Sequence, residues 1–346
     1  MSKKSICLVP QAASLGGPRT FQKNLIAWAD RTGMADIHFD SERKDIDAFL
    51  VFGGPGKYFA RLLKARRAGI PVVQRLNGIN WTHRARPSGL KYSLHSERAN
   101  LAIAFCRRFI CDRIVYQSPF CEGRWNEVFG EVNKPSRVIY NGTDIQQFSP
   151  GSSDPDLSEV IEFVLAEGNY QYGMGFGIEA AVELALGLEK RFDRLIRIRI
   201  AGKILPDTEE IIRDRLASAG QKVEAVFEGV CTREQLIAME RQGAFFFSTD
   251  INAACPNAVI EALACGLPSV GFDTGALKDL TGNAGIIVPY GADPWKLERP
   301  AYGPLIDAAE QVIRENASFR RIARSRAENV FPIDKMARDY ISFCFE

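Results

Sequence analysis

The chain has 346 residues, 46% of them hydrophobic, with 44 Lys and Arg against 42 Asp and Glu. That apolar fraction excludes a disordered chain, and the length exceeds one typical core, pointing to two α/β domains of roughly 150 to 190 residues each. No apolar run approaches the roughly 18 residues needed to cross a bilayer, and Met1-Ser2-Lys3-Lys4 is not followed by a signal-type apolar stretch.

Taken in chain order, Ser5–Pro10 reads as a first strand, followed by Ser14-Leu15-Gly16-Gly17 and a helix opening at Pro18, a favoured first helical residue. Ala48–Phe52 is a second strand, ending in Gly53-Gly54-Pro55-Gly56. After it, Lys57-Tyr58-Phe59-Ala60-Arg61-Leu62-Leu63-Lys64-Ala65-Arg66-Arg67 reads as a basic helix with interleaved aromatic and leucine residues. Such a helix suits a membrane face or an anionic acceptor groove. Further strands are expected at Pro71–Leu76, Arg113–Gln117 and Arg137–Tyr140, with Ser118 capping a helix around Phe120–Phe129. Asn141-Gly142 reads as a tight turn, and the Ser-, Gly- and Asp-rich Pro150–Pro155 as a linker.

The pattern then restarts. Strands are expected at Glu162–Ala166, Leu195–Ala201, Val223–Glu228, Ala244–Ser248, Ser269–Phe272 and Gly285–Val288, with a helix from Gly177 to about Glu189. Strand–helix alternation of this kind means parallel sheets covered on both faces, here twice over. Ligands in such sheets bind outside the carboxyl ends of the strands, so two of them facing each other would create a cleft.

Charge divides with the domains. Residues 1–150 hold 23 Lys and Arg against 12 Asp and Glu, and the remainder 21 against 30. A basic first half steers anionic ligands and adheres to anionic surfaces, so a membrane surface is expected as a partner of that half. Nucleic acid is not expected, because no binding module is recognisable. The eight cysteines show no metal-type pairs and several sit in apolar runs; they read as reduced, buried thiols of a cytoplasmic protein, associated with the inner membrane face through its basic half.

The most specific stretch is Cys255-Pro256-Asn257-Ala258-Val259-Ile260-Glu261-Ala262-Leu263-Ala264-Cys265-Gly266-Leu267-Pro268-Ser269-Val270. It reads as a loop, a helix and an apolar strand. The helix N-terminus, with its unpaired N–H groups, is a ready-made phosphate site. Glu261 lies one turn further on the same face as Asn257, where it can accept hydrogen bonds from ribose hydroxyls.

This block resembles the donor-site motif of the retaining glycosyltransferases of family 4, written Glu-x7-Glu and followed by "EA.ACGLPVV". Gly16-Gly17 before a helix, Val138-Ile139-Tyr140-Asn141-Gly142-Thr143-Asp144 with Phe148-Ser149-Pro150, Ile114–Phe120 and Pro332–Phe345 extend the resemblance over essentially the whole chain. It implies a GT-B fold, two Rossmann-like parallel-sheet α/β domains facing across a cleft. An acceptor-side domain over 1–149, a nucleotide-sugar domain over 150–330 and a last helix over 331–346 crossing back to the first domain are expected.

The resemblance also implies roles. Glu261 matches the residue that binds the ribose, and Asn257 and Ala258 the backbone amides that hold the phosphate. Gly16 and Gly17 lie where a small loop approaches the diphosphate, and glycine permits that approach. Transfer would proceed from a nucleotide diphosphate sugar to a glycan or lipid-linked acceptor, with no further cofactor and no metal.

The departures are specific. The first glutamate of the motif is Ala253. The Arg and Lys that clamp the diphosphate in the family align with Asn169 and Met174, and a histidine after the third strand aligns with Asn77. Two explanations compete. In one, Lys203 or Arg19 neutralises the phosphates and Asp250 or Asn252 meets the sugar, with Gly17, Lys203 and Asp250 carrying the chemistry. In the other, turnover is lost and the chain serves as a binding or partner subunit.

On the acceptor side, Asn77, Trp81 and His83 follow a strand end and would face the cleft. Several candidates also have an ordinary reading: Trp81 as core, His83 as a surface or capping residue, Lys203 as a solvated loop lysine. A dinucleotide oxidoreductase fails, since neither half shows Gly-x-Gly-x-x-Gly after its first strand with an acidic residue about 20 positions on. A GT-B epimerase would need paired acid–base residues, and no convincing pair is assignable.

Overall fold

In the computed structural model, residues 3–12, 17–86, 88–170, 176–219 and 222–346 are described; Ser14, Leu15, Gly16 and Met174 lie outside that set. The chain divides into two units, Met1–Gly142 together with Ile333–Glu346, and Thr143–Pro332. Pro150–Pro155 therefore belongs to the second unit.

The first unit contains β1 (Lys4–Val9), β2 (Ala35–His38), β3 (Ala48–Phe52), β4 (Val72–Leu76), β5 (Arg113–Tyr116) and β6 (Ser136–Val138). They form one parallel sheet in the order β2-β1-β3-β4-β5-β6. Helices cover its faces, which is why β3 reads Ala-Phe-Leu-Val-Phe with all five residues buried. The helix Gly17–Thr32 buries Phe21, Leu25 and Trp28, and Ser118 caps the helix Pro119–Phe129 by accepting from the Cys121 amide at 3.1 Å. The direction of winding reverses between β1 and β3.

The core of this unit is completed by the helix Ile333–Phe345, whose Met336, Ala337, Tyr340, Ile341 and Phe343 pack with Phe21, Leu25 and Trp28. Phe21 and Tyr340 meet edge to face at 4.9 Å, and Trp28 Nε1 donates to the Asp334 carboxylate. Gly142 has a different task from the turn its Asn-Gly pair suggests. A Cβ there would stand 2.9 Å from Ile333 Cα and 3.0 Å from Met336 Cβ, so glycine lets the last helix lie against the chain. Gly142→Ala is expected to lower stability by about 1–3 kcal/mol, read as a drop in denaturation midpoint with earlier proteolysis near residue 333. An unchanged midpoint would mean that the contact relaxes freely.

The second unit contains β7 (Val160–Tyr170), β8 (Leu195–Ile204), β9 (Val223–Gly229), β10 (Phe245–Phe247), β11 (Ser269–Phe272) and β12 (Gly285–Val288). Its parallel sheet has the order β12-β11-β10-β7-β8-β9, with the reversal between β7 and β10. Phe163 of β7 stacks on Phe245 of β10 at 5.0 Å, in a core built from the helix Phe176–Glu189 on one side and the helix Tyr302–Arg314 further along.

All eight cysteines are free and seven are buried, Cys231 being half-buried. Burial pushes the Cys7 thiol up to about 12 and that of Cys111 to about 11, which keeps both uncharged. Among the described residues, no helix is long and apolar enough to cross a membrane.

Candidate functional site

Reversal of strand order leaves an opening at the carboxyl ends of the two strands involved, because the connections on either side run off in opposite directions. In the second unit those strands are β7 and β10. From β10 the chain passes through Ser248–Pro256 into the helix Asn257–Ala264. That helix opens on Pro256, which offers no side-chain cap, and Pro256, Asn257 and Ala258 are part-exposed while Val259 and Ile260 are buried. Its first turn carries no acidic residue, which suits the positive end of the helix dipole to an anion.

The loop before the helix is held in an uncommon conformation. Asn252 has φ +58°, a left-handed value that non-glycine residues rarely adopt, and its buried Nδ2 finds no hydrogen-bond partner among the described residues. The Ala253 carbonyl accepts from the Ala276 amide at 2.8 Å. Gly275, at φ +61°, lies so close that a Cβ would sit 2.5 Å from the Ala253 nitrogen and oxygen. Ala253 is thereby fixed on the approach to the helix.

Glu261 is half-buried. Desolvation raises its pKa to about 7, with the Arg233 guanidinium opposing the shift. Arg233 is exposed and opens the helix Arg233–Gln242; the sequence separation of the two residues hides this proximity. At the end of β7, Thr249 Oγ1 donates to Glu167 Oε1 at 3.2 Å. Burial and the neighbouring Asp250 carboxylate push Glu167 well above the usual carboxylate range. Asp250 is an exposed residue whose carboxyl is raised to about 6 by desolvation. Behind Glu261, Glu240 is completely buried and raised in the same direction by desolvation, with Glu261 adding to it.

Asn169 and Lys203 are partners in the β7–β8 ladder, and both are exposed. The position that would carry an arginine on resemblance thus has a lysine beside it on the next strand. The second unit therefore brings Asn169 to Lys203, Asp250 to Glu167, and Asn257, Ala258 and Glu261 onto one helix.

In the first unit, Gly17 and Arg19 are exposed at the start of the helix Gly17–Thr32, and a Cβ on Gly17 would meet nothing within 4 Å. Arg19 borders an open groove of about 620 Å³ with Gln11, Gln22, Lys23 and Phe39. Gln22 secures the neighbouring chain, donating to the Pro10 carbonyl at 2.8 Å and accepting from the Ala12 amide at 2.9 Å.

Asn77, after β4, is held by its neighbours. Its Oδ1 accepts from Arg75 Nη1 at 2.6 Å and from Gln117, while Arg75 Nη2 donates to Asn141 Oδ1 at 2.8 Å. Arg75 is fully buried and stacks on Phe21 and Phe52, 4.2 and 5.5 Å from the ring centres. Sequence reasoning finds neither this arginine nor its grip on Asn77. Trp81 is part-exposed at the start of the short helix Thr82–Ala85. His83 is buried, and its Nε2 lies 2.8 Å from Glu97 Oε1, a place that fits a side chain anchoring Glu97.

Residues 163–299 match the family model described as Glycosyl transferases group 1. Over 144 residues the chain is 29% identical to the GDP-mannose:cellobiosyl-diphosphopolyprenol alpha-mannosyltransferase of Xanthomonas oryzae pv. oryzae (strain PXO99A), a match covering 41% of this chain and 36% of that protein. The chain thus spans only about a third of that relative.

Likeness to solved structures is more extensive. The Anabaena HepE structure in complex with UDP and glucose superposes with a TM-score of 0.68 at 13% identity, covering 98% of this chain and 99% of that one. Sucrose-phosphate synthase from Thermosynechococcus elongatus gives 0.66 at 16%, covering 99% and 98%. A glycosyltransferase from Rickettsia africae gives 0.69 at 13%, covering 99% and 98%. At these identities the likeness shows the fold, which is GT-B.

Proposed function

We propose, from the match of residues 163–299 to the family model described as Glycosyl transferases group 1, that the chain moves a sugar from a nucleotide diphosphate sugar to a hydroxyl of a glycan or lipid-linked acceptor. Transfer retains configuration at the anomeric carbon and uses no bound metal. One observation carries the reading: the uncapped helix Asn257–Ala264, beside the reversal between β7 and β10, with Glu261 half-buried one turn inside it.

Each part of the donor then has a partner. Glu261 accepts from the ribose hydroxyls, and the amides of Asn257 and Ala258 take a phosphate. Lys203, next to Asn169, supplies a positive charge as the bond between the anomeric carbon and the phosphate oxygen breaks. The acceptor oxygen bonds to the same face of the sugar, and its proton passes to that phosphate oxygen. Fixed dipoles and cations aimed at a leaving group are worth several kcal/mol in such reactions. On the acceptor side, Asn77 has its Oδ1 engaged by Arg75 and Gln117, which suits its Nδ2 to donate to a sugar hydroxyl.

The second reading, a binding or partner subunit without turnover, draws support from Ala253 and Asn169, where the family resemblance places a glutamate and an arginine. A panel of nucleotide diphosphates and their sugars separates the two. The transferase reading expects one donor to raise the melting temperature, Lys203→Ala to weaken that donor by roughly ten-fold, and nucleotide diphosphate to be released only when an acceptor is present. A melting shift with no release in the presence of any acceptor supports the subunit. No shift with any nucleotide would mark Ala253 and Asn169 as signs of a lost donor site, and the partner-subunit reading would lead.

A further inference from the structure

The helix Leu90–Phe105 packs the wrong way round for a helix of a water-soluble surface. Its buried positions are Ser96 and Asn100. Asn100 Oδ1 accepts from the Asn80 amide at 3.0 Å, and its Nδ2 donates to the Asn80 carbonyl at 2.9 Å. Polar side chains thus fasten the inner face. The outer face carries Leu90, Leu94, Leu101 and Phe105, which are 76%, 49%, 60% and 45% exposed, and the following π-turn Cys106–Ile110 adds Phe109 at 52%. Spacings of four, seven and four put Leu90, Leu94, Leu101 and Phe105 on one stripe.

The stripe is continuous with a neighbouring element. Phe105 lies 5.0 Å from Phe109 and 6.2 Å from Phe59, the first residue of the helix Phe59–Arg67. Around this patch the exposed charges of these segments are Lys57, Lys64, Arg66, Arg67, Lys91, Arg98 and Arg108. The helix Phe59–Arg67 has no acidic residue. The one carboxylate on the helix Leu90–Phe105, Glu97, is taken by Arg84 at 2.6 Å and by His83. Asp112 is engaged by Arg66 at 3.1 Å.

We propose that this face, the outer side of Leu90–Phe109 with Phe59 and the exposed cations of the same segments, docks on an anionic lipid bilayer, the leucines and phenylalanines entering the interface. Contiguous exposed apolar side chains of this kind mark an interaction surface, and the charge around them selects the occupant. A second copy would set cations against cations, whereas a layer of anionic headgroups neutralises them while its acyl boundary takes the apolar stripe. The inference extends the expectation of a basic, membrane-facing first half to a named surface. It is independent of sugar transfer, since vesicle binding requires neither donor nor acceptor.

The test is flotation of the full chain with vesicles of phosphatidylcholine alone and of phosphatidylcholine with equal phosphatidylglycerol. Binding is expected to the anionic vesicles only, weakening as salt rises. Lys64→Glu, Arg67→Glu and Arg108→Glu should each weaken it by at least about five-fold, the effect of one cation near such a surface. Leu94→Ser with Leu101→Ser and Phe105→Ser should abolish it while leaving the circular dichroism spectrum unchanged, because these side chains are exposed. Three results would overturn the assignment: no flotation with anionic vesicles, equal flotation with neutral ones, or a dimer in light scattering that the triple serine variant dissolves.

Discussion

Glu261→Ala is expected to weaken a stabilising nucleotide diphosphate sugar by about 100-fold, corresponding to about 3 kcal/mol for two hydroxyl hydrogen bonds to a carboxylate. The melting shift that such a donor produces in the parent should largely vanish. The pH dependence is more diagnostic. Desolvation places the Glu261 pKa at about 7 in the free protein, so near neutrality the carboxyl is protonated about half of the time. Hydroxyl donors prefer the ionised form, hence donor affinity should rise as pH goes from 6 to 8, and the alanine variant should lack that rise. The free protein should show the opposite sign. A carboxyl whose folded pKa is raised binds its proton more tightly folded than unfolded, so its contribution falls as pH climbs from the unfolded value toward 7. Equal donor affinity at pH 6 and 8 in the parent, or an unaltered affinity in Glu261→Ala, would remove Glu261 from the ribose.

Glu240→Gln should make the protein more stable at neutral pH. Glu240 is completely buried, and among the described residues the one group beside its carboxyl that favours the charged form is the weakly donating Cys265 thiol. Desolvation, reinforced by Glu261, pushes its pKa well above 4.5, so the folded state holds it protonated where the unfolded chain ionises it. Between the unfolded pKa and the raised one, each pH unit therefore costs about 1.4 kcal/mol of stability. The glutamine variant has no proton to lose. Below pH 4.5 the two proteins should have similar unfolding free energies, and above it the variant should draw ahead, by about 1–3 kcal/mol at pH 7. Denaturant titrations at several pH values read the difference directly. Parallel stability curves for parent and variant would show that Glu240 reaches solvent or a partner when ionised.

The strands were legible because parallel strands covered on both faces leave continuous apolar runs: Ala48–Phe52, Ser269–Phe272 and Gly285–Val288 begin and end where the sequence places them. β2 escapes for the converse reason. Its four residues, Ala-Asp-Ile-His, form an edge with too little apolar content to stand out. The helix Leu90–Phe105 escapes because its leucines face outward and its asparagine inward, which inverts the signal that apolar periodicity reads. That Asn257 and Glu261 share one helix was legible, since the sequence spacing fixes their separation. Glu167, Arg233, Glu240 and Arg75 were not, because their chemistry comes from burial and from neighbours far away in the chain. Gly142 shows a subtler limit: Asn-Gly names a turn, whereas the space it vacates is filled by Ile333 and Met336.

That last helix also sets an order on events during synthesis. The first unit takes its closing element from Ile333–Glu346, so every residue of Thr143–Pro332 leaves the ribosome before that element does. Until then Phe21, Leu25 and Trp28 lack the side chains of Met336, Tyr340 and Phe343 that cover them in the finished core. The second unit has all of its strands in hand earlier and should reach its folded state first. The nascent chain thus carries an open apolar face through most of its translation, the window in which a chaperone has something to hold.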